Sequence, residues 1–95
     1  MNLNTEQNIL AVKHAILKDQ KEAEITGFQV VNLPSGQKTG TNYQRKKYAD
    51  VTARKILNAI NRHNIKPLPI MVHGEKSENY AFDFQDVAKY IYSPL

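Results

Sequence analysis

The spacing of apolar residues changes along the chain, and each change marks a predicted element. In the first twenty residues, apolar positions recur at intervals of three and four, which is typical of a helix with one buried face. These positions are Ile9, Val12, Ala15 and Ile16. Asn4 or Thr5 can cap this helix, because both offer a side-chain oxygen to the first backbone N–H groups. The pattern predicts that the helix ends between Lys18 and Glu22.

A strand is predicted over residues 25–33, where Phe28, Val30 and Val31 favour extended structure. The Pro-Ser-Gly run at 34–36 then predicts a tight turn. Residues 37–42 contain no apolar side chain, so they are predicted as a short edge strand or a loop. We favour the strand, which completes a first β-hairpin.

The longest predicted element is a helix over residues 44–64, which contain neither Gly nor Pro. At about 100° per residue, its apolar and its polar residues fall on different sides. The apolar side consists of Ala49, Ala53, Ile56, Leu57 and Ile60, and the polar side of Lys47, Arg54, Lys55, Asn58, Asn61 and Arg62. Two interpretations remain: one continuous helix, which we favour, or two short helices of which Asp50 caps the second.

The remaining residues predict a second hairpin and a last helix. Pro67 and Pro69 impose an extended link, and the Ile-Met-Val run at 70–72 is predicted as a buried strand closed by His73 and Gly74. Residues 75–79 are predicted as a polar turn, and residues 80–82 as the returning strand. Asp83 is placed to cap a short helix that stops at residues 93–94. The apolar stripe of this helix is Val87, Ala88, Ile91 and Tyr92.

These elements together predict an α+β fold. We expect a small single domain over residues 1–95 with an N-terminal helix, a β-hairpin, a long basic amphipathic helix, a second β-hairpin and a short C-terminal helix. The absence of cysteine excludes disulfides, thiolate metal sites and thiol nucleophiles. No apolar run reaches the length of a signal peptide or a membrane span, so we expect a cytoplasmic protein that does not contact membranes.

Positive charge is concentrated in the middle of the chain. Residues 33–74 contain eight of the thirteen Lys and Arg against one acid, Asp50, which gives this segment a net charge of +7. The first 32 residues carry three bases and four acids, and the last 21 carry two bases and four acids. A fixed positive field attracts polyanions, because each neutralised phosphate releases a condensed counterion.

This charge pattern predicts a nucleic-acid-binding protein, with duplex DNA favoured. We expect the basic helix face to lie against phosphates, and two amides, Asn58 and Asn61, to suit adenine edges. The predicted contact residues are Lys38, Arg45, Lys46, Lys47, Arg54, Lys55, Asn58, Asn61, Arg62 and Lys66. The competing interpretation is that these residues form only the solvated side of an amphipathic helix.

The order of elements from residue 44 to residue 92 resembles the winged helix-turn-helix of excisionases and mercury-resistance-type regulators. The resemblance rests on residues 51–56 as the start of a recognition helix, 65–68 as its exit, 74–79 as the wing, and 80–91 as the closing strand and helix. It implies a DNA-binding regulator and covers about half of the chain. Residues 44–50 leave little room for the first helix of that motif and contain no Gly for its turn.

Catalysis and metal binding find little support in the sequence. His14, His63 and His73 lack ligand spacing, and Asp83 and Asp86 suit helix capping better than magnesium binding. We therefore expect no enzymatic activity, no metal and no cofactor. Five tyrosines offer faces for stacking single-stranded bases, although such residues more often border a core; they are Tyr43, Tyr48, Tyr80, Tyr90 and Tyr92.

The alternative function is a small inhibitor or adaptor, of the kind that phages and plasmids encode. Such a protein would bind an acidic or nucleic-acid-binding host protein and block or mimic a nucleic-acid contact. A homodimer is also expected, because a small core leaves part of the first helix's apolar stripe uncovered.

Overall fold

The structure is a computed structural model that describes residues 2–92. Its elements in chain order are α1 (Glu6–Leu17), β1 (Glu22–Ile25), β2 (Phe28–Val31), α2 (Asn42–Arg62), β3 (Leu68–Val72), β4 (Glu75–Asp83) and α3 (Phe84–Tyr92). The strands form one sheet in the order β1-β2-β4-β3, in which β2 and β4 are parallel and both outer pairs are antiparallel. The predicted α+β fold and its order of helices and hairpins are confirmed.

Helix α1 begins where the sequence predicted. Thr5 caps it by accepting a hydrogen bond from the Asn8 N–H at 3.2 Å. The helix ends at Leu17, just before the predicted range, and Asp19 then adopts a positive φ of 53°. The predicted apolar stripe is buried throughout: Ile9, Val12, Ala15 and Ile16.

Asn8 is a buried polar residue that joins three segments. Its amide nitrogen donates to the Leu3 carbonyl at 2.8 Å. Its amide oxygen accepts from the Thr26 N–H at 3.1 Å and from the Thr26 hydroxyl at 3.0 Å. These bonds satisfy the side chain in the core and hold the N-terminal residues and the β1–β2 turn against α1.

The first hairpin lies earlier in the chain than predicted. Strand β1 pairs with β2 across a turn at Thr26 and Gly27, and Gly27 has the positive φ of 74° that glycine adopts without strain. The predicted turn at 34–36 and strand at 37–42 are both wrong, since residues 34–41 form a loop. β1 alternates exposed and buried side chains, whereas the wholly polar run 37–42 has nothing to bury against the sheet.

Helix α2 is continuous, so the interpretation as two short helices is wrong. A capping box starts it: the Thr41 hydroxyl accepts from the Gln44 N–H at 3.1 Å, and the Gln44 side chain accepts from the Thr41 N–H at 2.9 Å. Asp50 bonds to Arg54 along the helix instead of capping a new one. All five predicted apolar residues of α2 are buried, together with Thr52 and Ala59.

Strands β3 and β4 form an antiparallel hairpin, called here the β3–β4 ribbon. His73 and Gly74 connect the strands with φ angles of 53° and 81°, as a two-residue hairpin turn requires. The predicted turn at 75–79 is wrong, because these residues belong to β4. The predicted burial of 70–72 is also wrong: Met71 is 56% exposed and Val72 50% exposed, since β3 is the edge strand.

Helix α3 follows β4 without a loop. The Asp83 carboxylate accepts from the Gln85 N–H at 2.9 Å, which confirms the predicted cap. Phe84 and Val87 are buried against the rest of the core. The predicted stop at residues 93–94 lies outside the described residues.

The core lies between α1, α2, α3 and one side of the sheet. That side contributes Ala23, Ile25, Val30 and Phe82, whereas Glu22 and Glu24 on the opposite side are exposed. Because α1 packs on α2 as well as on β1, its apolar stripe is covered, and the expectation of an uncovered stripe is wrong. None of the helices within residues 2–92 has the length and apolarity to cross a membrane.

Candidate nucleic-acid interface

The side of α2 that points away from the core carries three exposed cations, Lys47, Lys55 and Arg62. At about 100° per residue, these residues fall opposite the buried Ala49 and Ile56. We call this set the basic face. It extends about 22 Å from Lys47 to Arg62 at the helical rise per residue. Among residues 2–92, no ion pair joins any of the three to a carboxylate.

Other predicted contact residues lie beyond the two ends of the basic face. Arg45 is half-buried in the first turns of α2, where its guanidinium donates to the side chain of Asn42. Lys46 is exposed on a different side of the same turns, and Lys66 is exposed in the link that follows α2. The basic face is therefore a row of three cations with further positive charge near each end.

Two predicted contact residues are neutralised within the protein. Arg54 donates to Asp50 at 2.8 Å and lies 3.5 Å from a Glu6 carboxylate oxygen, and Lys13 also lies 3.8 Å from Asp50. The hydrogen bond from Arg54 lowers the pKa of Asp50, and the same bond raises the pKa of Arg54. Arg54 is thus paired with carboxylates of α1 and α2 and does not belong to the basic face.

Lys38 is the second neutralised residue. Its ammonium group lies 3.2 Å from a carboxylate oxygen of Asp19. The Gly36 N–H donates to the same carboxylate at 2.9 Å, and this bond, together with Lys38, lowers the pKa of Asp19. Lys38 therefore helps to hold the loop 34–41 against the end of α1.

The two asparagines predicted to contact bases both bond to the N-terminal residues. The Asn4 side chain donates to the Asn58 amide oxygen at 2.7 Å. The Asn61 amide oxygen accepts from the Leu3 N–H at 3.1 Å, and its amide nitrogen donates to Asn2 at 2.8 Å. Asn61 therefore bridges α2 to the N-terminal residues, a role that the sequence did not indicate.

A cleft of about 230 Å³ lies where the C-terminal end of α2 meets α3. Its floor contains two stacked rings, those of His63 and Tyr90, whose centroids are 3.9 Å apart at an angle of 9°. Lys55 and Arg62 of the basic face line the same cleft. No carboxylate is among the residues that line it, and Tyr90 remains 44% exposed.

A second cleft continues on the other side of His63 and Tyr90. Lys66, Lys89 and Asp86 line it, so cations and one carboxylate meet there. The Lys89 ammonium also lies 5.2 Å from the centre of the Tyr90 ring. Sequence reasoning missed this meeting of α2 and α3, because His63 and Tyr90 are far apart in the chain and no local pattern connects them.

The residues considered for catalysis and metal binding lie apart. His14 is on α1, His63 follows α2 and His73 is in the ribbon turn. Asp83 caps α3 and also accepts from Asn32 at 3.2 Å. Within the described part of the chain, no group of three His, Asp or Glu residues converges.

The β3–β4 ribbon presents a different chemistry from that of the basic face. Its exposed apolar residues are Leu68 at 51%, Met71, Val72 and Tyr80 at 45%. Its far end carries the exposed acids Glu75 and Glu78 with one base, Lys76.

Comparisons of the chain with protein-family models, with curated proteins and with solved structures found no match.

Proposed function

We propose that this chain is a small, cytoplasmic, non-enzymatic nucleic-acid-binding accessory or regulatory protein that contacts phosphates with the basic face of α2. The observation that carries this proposal is the composition of that face: Lys47, Lys55 and Arg62 are exposed and have no ion pair within residues 2–92. An ordinary solvated helix face mixes charges of both signs.

The placement of charge at the start of α2 supports the proposal. Arg45 and Lys46 lie near the positive end of the helix, and no acid occupies its first turn. Cations near this end oppose the helix dipole, an effect that falls off within the first turn and is small for Arg45 and Lys46. These two cations add to the positive charge that a polyanion meets at this end of α2.

The proposal is tested by measuring the affinity for a labelled DNA duplex of about 20 base pairs by fluorescence anisotropy, at about 50 and 200 mM salt. If three phosphates are neutralised, affinity falls about 40-fold between these concentrations, because counterion release contributes about 0.9 per phosphate to the logarithmic slope. Absence of salt-sensitive binding at low micromolar protein contradicts the proposal.

A pair of triple variants assigns the contact to the basic face. The test variant combines Lys47→Glu, Lys55→Glu and Arg62→Glu, and the matched control combines Lys18→Glu, Lys21→Glu and Lys76→Glu. Both sets are exposed and change the net charge equally, but the control residues lie outside α2. We expect the test variant to lose at least about 100-fold in affinity and the control a few-fold. Equal losses would mean that net charge alone attracts the nucleic acid.

A second candidate function is favoured by the ribbon. Half-exposed Leu68, Met71 and Val72 on an edge strand are typical of a surface that contacts protein. In this alternative the protein is an inhibitor or adaptor that binds a host protein and blocks or mimics a nucleic-acid contact. This alternative predicts that the protein captures one stoichiometric partner and that nuclease treatment does not release it. The double substitution Met71→Ser and Val72→Ser is expected to abolish this capture. Capture that depends on nucleic acid contradicts it.

A further inference from the structure

We propose that the cleft between α2 and α3 binds an unpaired nucleotide of a single strand, with its base stacked on Tyr90 and its phosphate between Lys55 and Arg62. The inference rests on the proposed function and extends it. If this inference is correct, the preferred ligand is a single strand, or a duplex with an unpaired end, and not a regular duplex.

The aromatic geometry is the first argument. His63 and Tyr90 are stacked in parallel at 3.9 Å, so each ring fixes the orientation of the other. Tyr90 is 44% exposed even though it is part of this stack. His63 covers one face of the Tyr90 ring, and the Lys89 ammonium lies 5.2 Å from the ring centre, so a base stacks on the face opposite His63 after the exposed Lys89 side chain moves aside. Stacking on aromatic rings is how single-stranded bases are bound without strong sequence preference.

The charge around the rings is the second argument. Lys55 and Arg62 line the cleft and belong to the basic face, so a strand that follows that face reaches the rings directly. The carboxylate of Asp86 lies in the neighbouring cleft, on the Lys66 and Lys89 side. The phosphate is therefore assigned to the Lys55 and Arg62 side, where no carboxylate lines the cleft.

The size of the cleft is the third argument. Its volume of about 230 Å³ is smaller than the roughly 300–1,000 Å³ of pockets that enclose drug-sized ligands. It suits one flat ring system with a phosphate at the rim. Bases inside a regular duplex are stacked on their neighbours, so they cannot place a face on Tyr90, whereas an unpaired base can.

The test compares three labelled probes: a deoxyuridine oligomer and a uridine oligomer, each of about 12 nucleotides, and a blunt DNA duplex. Tyr90→Ala is expected to weaken binding of the single strands by about 5- to 100-fold and to change duplex binding less than about twofold. Tyr90→Phe keeps the ring and is expected to bind like the unmodified protein. Comparison of the two oligomers shows whether the 2′-hydroxyl matters.

Tyr80→Ala is the matched control. Tyr80 is exposed to nearly the same extent, 45%, but lies on β4 in the acidic ribbon. It is expected to leave all three affinities unchanged. Equal losses for Tyr80→Ala and Tyr90→Ala, or unchanged single-strand affinity of Tyr90→Ala, overturn the inference. If the basic-face variants lose binding while Tyr90→Ala does not, the proposed function stands and this extension fails.

A second measurement does not require removal of the ring. The chain contains no tryptophan, so Tyr90→Trp introduces a single reporter at the cleft and Tyr80→Trp introduces one on the ribbon. The single-stranded oligomers are expected to quench the emission of the first and not of the second, because a stacked base quenches an indole. Equal quenching of both reporters, or quenching of neither, overturns the inference.

Discussion

Helix α2 and the β3–β4 ribbon differ in how far their apolar side chains are buried. Both contain a run of apolar side chains, but Ile56 and Leu57 of α2 are completely buried, whereas Met71 and Val72 of the ribbon are half exposed. Because α2 turns its apolar residues inward, the side it shows to solvent is cationic. The ribbon has no described element on its outer edge, so it shows solvent an apolar strand with acids at its end.

The difference separates two surfaces suited to different partners. A row of cations with no ion pair within residues 2–92 favours a polyanion, and its contribution depends on salt. An apolar edge strand favours another polypeptide, and its contribution depends on the area removed from water. Substitutions on one surface should therefore leave the activity of the other unchanged.

The largest expected effect concerns stability. Leu57→Ala removes a completely buried side chain and is expected to lower the free energy of unfolding by about 2–5 kcal/mol. Met71→Ala, its counterpart on the ribbon, is expected to change it by less than about 0.5 kcal/mol. Urea unfolding followed by circular dichroism measures both. A large loss for Met71→Ala would show that the ribbon is packed against something in solution.

The second prediction concerns Asn61, which was predicted to contact bases and which holds the N-terminal residues. Asn61→Ala leaves the half-buried Leu3 N–H without its acceptor and is expected to lower the free energy of unfolding by about 1–3 kcal/mol. Its affinity for nucleic acid should change less than about twofold, because Asn61 is not part of the basic face. Reduced affinity at unchanged stability would restore the role predicted from sequence.

Leu57 and Asn61, both on α2, illustrate what the sequence could and could not predict. The course of α2 was predictable, because twenty-one residues without Gly or Pro hold one helical phase and burial follows that phase. The partners of Asn61 were not predictable, because they lie 58 and 59 positions away in the chain. Local patterns determine which side of a helix is polar, but tertiary contacts determine which of its polar groups remain available.

The strands show the same limit. The run at 70–72 has the composition of a buried strand, yet its burial depends on its position in the sheet, and β3 lies at the edge. β1 was missed because it has only four residues, so its alternation is short. The stack of His63 on Tyr90 depends on how α3 packs against α2, which no spacing within either helix encodes.

The third prediction extends the basic face. Val51 is 41% exposed on the same side of α2 as Lys47 and Lys55. Val51→Lys adds a fourth cation there and is expected to strengthen nucleic-acid binding by about 5- to 10-fold, with a correspondingly steeper salt dependence. Val72→Lys adds the same charge to the ribbon and is expected to change affinity less than about twofold. Equal gains at both positions would show that binding follows net charge and not the face.

The smallest expected effect concerns the ion pairs that remove Arg54 from the basic face. Asp50 has a pKa below its ordinary value of 3.8 because Arg54 bonds to it in the folded state. A carboxylate with a lowered pKa stabilises the fold above its ordinary value, and the stabilisation is lost as the pH falls through the lowered value. Asp50→Asn should therefore be slightly less stable than the unmodified protein at pH 7, and the difference should vanish once the pH falls below the lowered pKa of Asp50.

The same substitution also tests whether phosphates reach the α1 side of α2. With Asn at position 50, any bond to Arg54 is neutral, and the only ion pair of Arg54 within residues 2–92 is its longer contact to Glu6, at 3.5 Å. Its guanidinium then becomes available to phosphates, so at pH 7 Asp50→Asn is expected to bind nucleic acid about two- to fivefold more tightly while folding slightly less well. Thermal unfolding at several pH values and anisotropy on one preparation measure both effects. Unchanged affinity would mean that phosphates do not reach the α1 side of α2, and would confine the contact to Lys47, Lys55 and Arg62.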